Sequence, residues 1–165
     1  MRYFSLFVIV LILAGCNTKP QIEPVDLSAV ETTIAARLDE FHKVMQDKDL
    51  TAYKSFLTED GLFCGTDPEE LWGKESVVAL MEKSFADSTI MFKYSVEQRK
   101  IRVSSDGNSA TTLEQFIVAW ISEKMTLRLV SHLVKIENDW KIDFFSWSLV
   151  PNNDDMAKLN EALAD

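Results

Sequence analysis

Residues 125–150 read MTLRLVSHLVKIENDWKIDFFSWSLV and decide the fold class. Apolar and polar side chains alternate on both sides of Asn138-Asp139, which is the pattern of two strands joined by a tight hairpin. Upstream, residues 109–122 have the composition of another long strand, and the turn Asp106-Gly107-Asn108 separates it from a shorter one at 97–104. The C-terminal half is therefore predicted to be a meander of antiparallel strands.

In the N-terminal half, apolar residues recur at the spacing of α-helices. A first helix is predicted to begin with the capping box Ser28-Ala-Val-Glu31. Its apolar stripe has the spacing of one helical face and consists of Val30, Ile34, Leu38, Phe41 and Met45, with His42 half-exposed at its edge. Further helices are expected from Asp49 and over 74–85, and short strands over 62–65 and 91–94. Helices followed by a strand meander predict an α+β fold with N-terminal helices packed on one face of an antiparallel sheet.

One loop carries a family resemblance. The run Phe63-Cys-Gly-Thr-Asp-Pro-Glu-Glu-Leu-Trp-Gly-Lys74 resembles the loop of SnoaL-like domains, within the nuclear-transport-factor-2-like (cystatin-like) superfamily. Trp140-Lys-Ile142 and Ser148 resemble the final strand of that family, so the resemblance covers roughly residues 28–150. It implies a cone-shaped, strongly curved sheet wrapped around a long helix, with a pocket at the open end. Asp67 and Trp72 would border the pocket mouth, or else Asp67 caps a turn and Trp72 fills the core under the third helix.

The first sixteen residues predict export and lipidation. Arg2 precedes an apolar run from Tyr3 to Leu13, which Ala14-Gly15-Cys16 closes. The run is too short to span a bilayer as a helix and has the layout of a secretory signal peptide. It resembles a bacterial lipoprotein signal, which implies cleavage before Cys16 and attachment of palmitate-type acyl chains there. The alternatives are an ordinary secretory signal with a chance cysteine, or an uncleaved anchor.

The predicted organisation follows from this leader. Residues 1–15 are the signal peptide, 16–27 a lipidated flexible tether, 28–150 the domain, and 151–165 a tail or short helix. The expected location is the cell envelope, with the lipid bilayer as a partner through acylated Cys16. Asn17 stands where relatives retained at the inner membrane often carry Asp, so the outer membrane, on its periplasmic side, is favoured.

Composition excludes several classes of function. The chain carries a net charge of −9, which repels phosphate backbones and argues against a nucleic-acid partner. With only two histidines and two cysteines, neither a metal site nor a cofactor is predicted. An apolar content of 47%, including ten Phe and four Trp, predicts one well-filled domain.

Strand alternation assigns residues to two sheet faces. A loop at Asn138-Asp139 would pair Glu137 with Trp140. The helix-covered face would then carry Glu114, Phe116, Ser131, Phe144 and Ser146, which are candidate pocket residues. Trp72 joins them as a candidate because of the loop that resembles SnoaL-like domains. A carboxylate beside hydroxyls in an apolar basin can have a raised pKa, so Glu114 is the candidate general base, with simple contact to water as the alternative.

The opposite face would carry Arg128, His132, Phe145 and Trp147, and it is predicted to pair with a second copy of the chain. Asp143 would lie diagonal to His132, close enough for an acid–histidine contact.

Three functions remain open. The first is a membrane-anchored, non-catalytic binding module for a small apolar or amphipathic ligand. The second is an envelope scaffold or dimerisation module. The third is an isomerase- or dehydratase-type enzyme with Glu114 as base, although an oxyanion donor other than Tyr53 or Tyr94 is not evident.

Overall fold

The computed structural model describes residues 24–119 and 121–164. The predicted signal peptide, Cys16 and most of the tether lie outside these residues. The helices are α1 (Leu27–Asp47), α2 (Leu50–Phe56), α3 (Lys74–Ala86) and α4 (Met156–Ala162), with a 3-10 turn at Asn153–Asp155. The strands are β1 (Leu57–Cys64), β2 (Leu71–Trp72), β3 (Val96–Val103), β4 (Ser109–Val118), β5 (Ser122–Ile136) and β6 (Asp139–Val150). In the described part of the chain, no helix has the length and hydrophobicity needed to cross a membrane.

Helix α1 begins slightly earlier than the capping box predicts. Asp26 is its N-cap, and its carboxylate accepts hydrogen bonds from the backbone N–H groups of Ser28 and Ala29 at 3.1 Å. An aspartate at this position satisfies orphan donors of the first turn, so Ser28 lies within the helix. The helix ends at Asp47, and the C-cap residue Lys48 has a φ of 56°, in the left-handed region.

The strands form one six-stranded sheet in the order β2-β1-β6-β5-β4-β3. The predicted α+β architecture, with helices packed on the sheet, is confirmed, and the arrangement is consistent with the expected cone. The sheet is mixed, however, because β1 runs parallel to β6 while the other neighbours are antiparallel. Residues 91–94, predicted as a strand, are irregular, since they lie in the connection from α3 to β3 and turn Phe92 into the core.

The β5–β6 register differs from the prediction in two ways. The loop is Glu137-Asn138, with Glu137 at a φ of 56°, so Ile136 pairs with Asp139. A bulge then follows, because Leu133 pairs with Ile142 whereas His132 pairs with Phe144. One extra residue on one strand reverses the faces of all residues beyond it.

Because of the bulge, four residues lie on the sheet face opposite to the predicted one. Phe145 turns inward, where it is 4% exposed, and Trp147 packs against the core beside it. Phe144 and Ser146 pair with the outward residues His132 and Val130 and therefore lie on the uncovered face. The physical reason is burial, since two aromatic side chains enter the interior in place of one aromatic and a serine.

Candidate functional site

A cavity of about 480 Å³ opens between the C-terminal half of α1, helix α3 and the inner sheet face. Most of its wall is apolar or aromatic, which is typical of sites for small organic ligands. The lining residues are Phe41, Met45, Tyr53, Gly65, Thr66, Glu70, Trp72, Val77, Leu80, Met81, Ser84, Ile90, Phe92, Tyr94, Val118, Ile121, Leu127, Phe145 and Trp147.

Two tyrosines supply polar groups within this wall. Tyr53 is 1% exposed, and burial raises its pKa well above the ordinary value. Burial also raises the pKa of Tyr94, and the nearby charge of Glu114 adds to the effect. Both phenols are therefore neutral across the physiological pH range and can act as hydrogen-bonding groups without carrying charge.

The loop between β1 and β2 holds a carboxylate at the cavity. Oε2 of Glu70 accepts hydrogen bonds from the backbone N–H groups of Thr66 at 2.8 Å and Asp67 at 3.0 Å. The Asp67 side chain accepts from Glu69 N–H at 2.9 Å, which agrees with its predicted turn-capping role. A Cβ at Gly65 would overlap the Glu70 carboxylate and meet the Trp72 ring at 2.8 Å, so the absence of a side chain at Gly65 makes room for both residues.

A buried polar chain runs behind the cavity from Tyr94 to Glu114. Nδ1 of His42 lies 3.0 Å from the Tyr94 hydroxyl, and its Nε2 lies 2.9 Å from Oε2 of Glu114. Oε1 of Glu114 accepts from Nε of Arg99 at 2.6 Å. A carboxylate oxygen only accepts hydrogen bonds, so in the His42 tautomer that carries its proton on Nε2, Nε2–H donates to Glu114 and Nδ1 accepts a hydrogen bond from the Tyr94 hydroxyl.

Residues 34–152 match the SnoaL-like domain family. The chain belongs to the SnoaL-like domain family. No curated protein sequence matches it. Solved structures share its fold, including an NTF2-like protein of unknown function from Pseudomonas putida, with 15% identity, a TM-score of 0.64, and coverage of 73% of this chain and 87% of that one.

Two further structures resemble this SnoaL-like domain. A protein of unknown function from the DUF3225 family of Pectobacterium atrosepticum shows 18% identity and a TM-score of 0.64, covering 74% of this chain and 92% of the other. A putative scytalone dehydratase from Novosphingobium aromaticivorans shows 11% identity and a TM-score of 0.57, covering 76% of this chain and 87% of the other. At such identities the likeness concerns the fold.

The SnoaL-like domain brings together fewer of the predicted pocket residues than the strand pattern implied. Trp72 lines the cavity. Glu114, Phe116 and Ser131 do face the helices, but all three are fully buried behind the cavity wall. Because Phe144 and Ser146 lie on the opposite face, the expected grouping of Glu114 with Ser131 and Ser146 in a pocket is wrong.

Glu114 consequently does not lie where the predicted general base would have to lie, at the cavity surface. Its side chain has no exposed surface, and both of its oxygens hold partners. His42, predicted to be half-exposed, is 5% exposed and links Glu114 to the cavity wall through Tyr94. Within the described residues of the SnoaL-like domain, no group of three His, Cys, Asp or Glu side chains could hold a metal ion.

The uncovered face of the SnoaL-like domain carries two of the four residues predicted there. Arg128 and His132 alternate with the buried residues of β5 and so lie on this face. His132 Nδ1 is 2.7 Å from Asp143 Oδ1, which confirms the predicted contact. Phe145 and Trp147 lie on the cavity side because of the bulge, and Phe144 takes their place on the uncovered face.

Sequence reasoning missed Glu70 and the roles of His42 and Arg99. Arg99 could have been found from strand pairing, since it lies directly opposite Glu114 on the neighbouring strand. No sequence pattern indicates the role of Glu70, because its position depends on how the loop folds back onto Gly65.

Proposed function

We propose that this SnoaL-like domain is a non-catalytic binding module that holds a small apolar or amphipathic molecule. The observation that carries the proposal is the cavity of about 480 Å³ with its largely apolar wall. Cavities of this size suit ligands of drug-like dimensions, which gain affinity mainly by leaving water. The hydroxyls of Tyr53 and Tyr94 would orient such a ligand.

Binding can be measured with the neutral fluorescent probe N-phenyl-1-naphthylamine. The chain from residue 16 onward, carrying Cys16→Ser so that no acyl chain competes, contains every described residue. Ser84→Trp fills the cavity from α3 and is expected to abolish saturable binding. Lys83→Trp is the control, because it adds the same ring at an exposed neighbouring position outside the cavity. Equal binding by both variants, or none by the parent chain, would contradict the proposal.

The proposal includes a lipid anchor in the cell envelope. It is supported by the apolar run ending in Leu13-Ala14-Gly15-Cys16. Two or more acyl chains would tether the protein firmly, because each buried methylene contributes about 0.8 kcal/mol. Metabolic labelling with palmitate should mark the full-length chain and be lost in Cys16→Ser. Fractionation then distinguishes the favoured outer membrane from the inner one. Labelling that persists in the variant would contradict anchoring at Cys16.

A scaffold or homodimer function is the second candidate, and the uncovered sheet face favours it. Half-buried apolar side chains from β4, β5 and β6 lie there beside Arg128 and His132, namely Leu113, Ile117, Val130, Val134 and Phe144. Aromatic and arginine side chains are enriched at such interfaces. Sedimentation should show a dimer that Phe144→Asp dissociates and that Thr111→Asp, at an exposed position on the same face, leaves intact. A monomeric parent chain would contradict it.

An isomerase or dehydratase is the third candidate. Its support is the hydrogen-bonded chain from Tyr94 through His42 to Glu114, together with the structural likeness to a putative scytalone dehydratase. In this version Glu114 orients His42, and the Tyr94 hydroxyl is the group that meets substrate. For any substrate that the protein converts, Tyr94→Phe should lower kcat by about 100-fold. Tyr53→Phe is the control, and equal losses in both variants would remove the assignment.

A further inference from the structure

The cavity lining contains an acidic side chain but no basic one. Of the described lining residues, Glu70 alone carries a charge at neutral pH, and none is a lysine, arginine or histidine. A carboxylate or phosphate ligand would therefore meet a like charge and would lose its hydration shell without gaining an ion pair. The net charge of −9 on the whole chain acts in the same direction.

The Glu70 carboxylate is fixed in position by the backbone. One oxygen, Oε2, accepts from Thr66 N–H and Asp67 N–H, and the Glu70 carbonyl accepts from Gly65 N–H at 3.0 Å. No basic side chain of the described residues forms an ion pair with Glu70. The nearest lysine in sequence, Lys74, is engaged by Glu59 at 2.7 Å. Glu70 thus contributes an oriented charge to the cavity that the protein does not neutralise with a side chain.

Aromatic faces surround the same space. Trp72 approaches the Gly65 backbone beside Glu70, and Trp147 and Tyr94 line the wall further in. The rings of Tyr94 and Trp147 both pack against Phe116, with centroids 5.4 and 5.5 Å away. Aromatic faces attract cations, and aromatic rings are used in proteins to bind quaternary ammonium groups. A nearby carboxylate adds a Coulomb attraction for the same cation.

We propose that the ligand is a cationic amphiphile, with an amine or quaternary ammonium head against Glu70 and Trp72 and an apolar body in the cavity. This inference rests on the proposed binding function and names its ligand class. The apolar wall takes the body through burial, while Glu70 and the aromatic rings select the sign of the head charge.

The test compares three probes with one alkyl chain and different heads: octyltrimethylammonium, octanol and octyl sulfate. The titrations are made below the critical micelle concentrations, on the chain from residue 16 onward with Cys16→Ser. Binding is measured by calorimetry and by the intrinsic tryptophan fluorescence, to which the cavity residues Trp72 and Trp147 contribute. Octyltrimethylammonium should bind about tenfold more tightly than octanol, and octyl sulfate more weakly than either. Added salt should reduce the differences in affinity among the three probes, because it screens the charge of Glu70.

Glu70→Gln keeps an oxygen that can accept the two backbone hydrogen bonds but removes the charge. It should reduce octyltrimethylammonium affinity about tenfold and leave octanol affinity within about twofold. Glu69→Gln is the matched control, since it changes the net charge equally at an exposed neighbouring position outside the cavity.

The outcomes separate the two proposals. If octanol binds in competition with N-phenyl-1-naphthylamine and octyltrimethylammonium binds no more tightly, the cation preference is wrong while the binding module stands. An equal effect of Glu69→Gln and Glu70→Gln would also overturn the assignment, because it would reflect net charge alone. If none of the probes binds, both proposals fail.

Discussion

Nε2 of His42 lies 2.9 Å from Oε2 of Glu114, and both side chains are buried between α1 and the sheet. The two residues are 72 positions apart in sequence, and the contact holds helix α1 against the middle of β4. Arg99 supplies the compensating charge from β3. The carboxylate that strand patterning marks as a base therefore serves as the centre of a buried ion-pair network.

Replacing Glu114 by Ala should destabilise the domain by about 1–3 kcal/mol, because it leaves His42 without its buried partner and Arg99 with only the exposed Asp39 as an ion-pair partner. Chemical denaturation monitored by circular dichroism measures the change. Glu97→Ala, at an exposed position on β3, should stay within about 0.5 kcal/mol of the parent. A loss at Glu114 no larger than that at Glu97 would mean that the network does not form.

The β6 bulge can be tested with two adjacent phenylalanines. Phe145→Ala should cost about 3–5 kcal/mol, because Phe145 is buried against Phe63 with ring centroids 4.9 Å apart. Phe144→Ala should cost clearly less in a monomeric preparation, since Phe144 is partly exposed on the uncovered face. Urea unfolding gives both values. The reverse order of the two losses would indicate the regular, unbulged register.

Gly65→Ala should destabilise the domain by about 1–3 kcal/mol, because the added methyl overlaps the Glu70 carboxylate and crowds Trp72. The shift of Trp72 should also change the tryptophan emission. Thr66→Ala is the control, since it changes an exposed side chain in the same loop without adding volume. Both variants are compared by thermal unfolding, and equal melting temperatures would show that the loop does not pack as described.

The carboxyl of Asp139 gives a pH-dependent prediction. Burial opposes its ionisation, but the hydrogen bond from Lys141 and the charges of Arg37 and Lys141 outweigh this and hold its pKa below the ordinary value of 3.8. A lowered folded-state pKa adds stability above the unfolded value, and that stability is lost as the pH falls through the folded value. Asp139→Asn should thus be destabilising at pH 7 and increasingly neutral below pH 3.8.

Urea unfolding of both chains between neutral and acidic pH measures this convergence. Asp60→Asn, at an exposed position, is the control and should show no such trend. A stability difference that grows toward acid would contradict the assigned ion pairs, which involve Arg37 at 3.2 Å and Lys141 at 2.8 Å.

The helices and strands were largely predictable because their signals are local. The apolar stripe of α1 was correct for Ile34, Leu38, Phe41 and Met45, which are all buried. Alternation along β4 also placed Glu114 and Phe116 on the helix-covered face, as observed. Periodicity encodes which side of an element is buried, and that information needs no distant contact.

The sequence by itself determined the α+β class, the order of the first three helices and the long strands, and the faces of α1, β4 and β5. The tertiary structure alone decided which buried side chains reach the cavity. The bulge at Asp143 exchanges Phe144 for Phe145, and the loop folding back onto Gly65 brings Glu70 to the cavity wall. Both depend on how separate elements pack, because a one-residue register change costs little locally but exchanges the two faces of a strand.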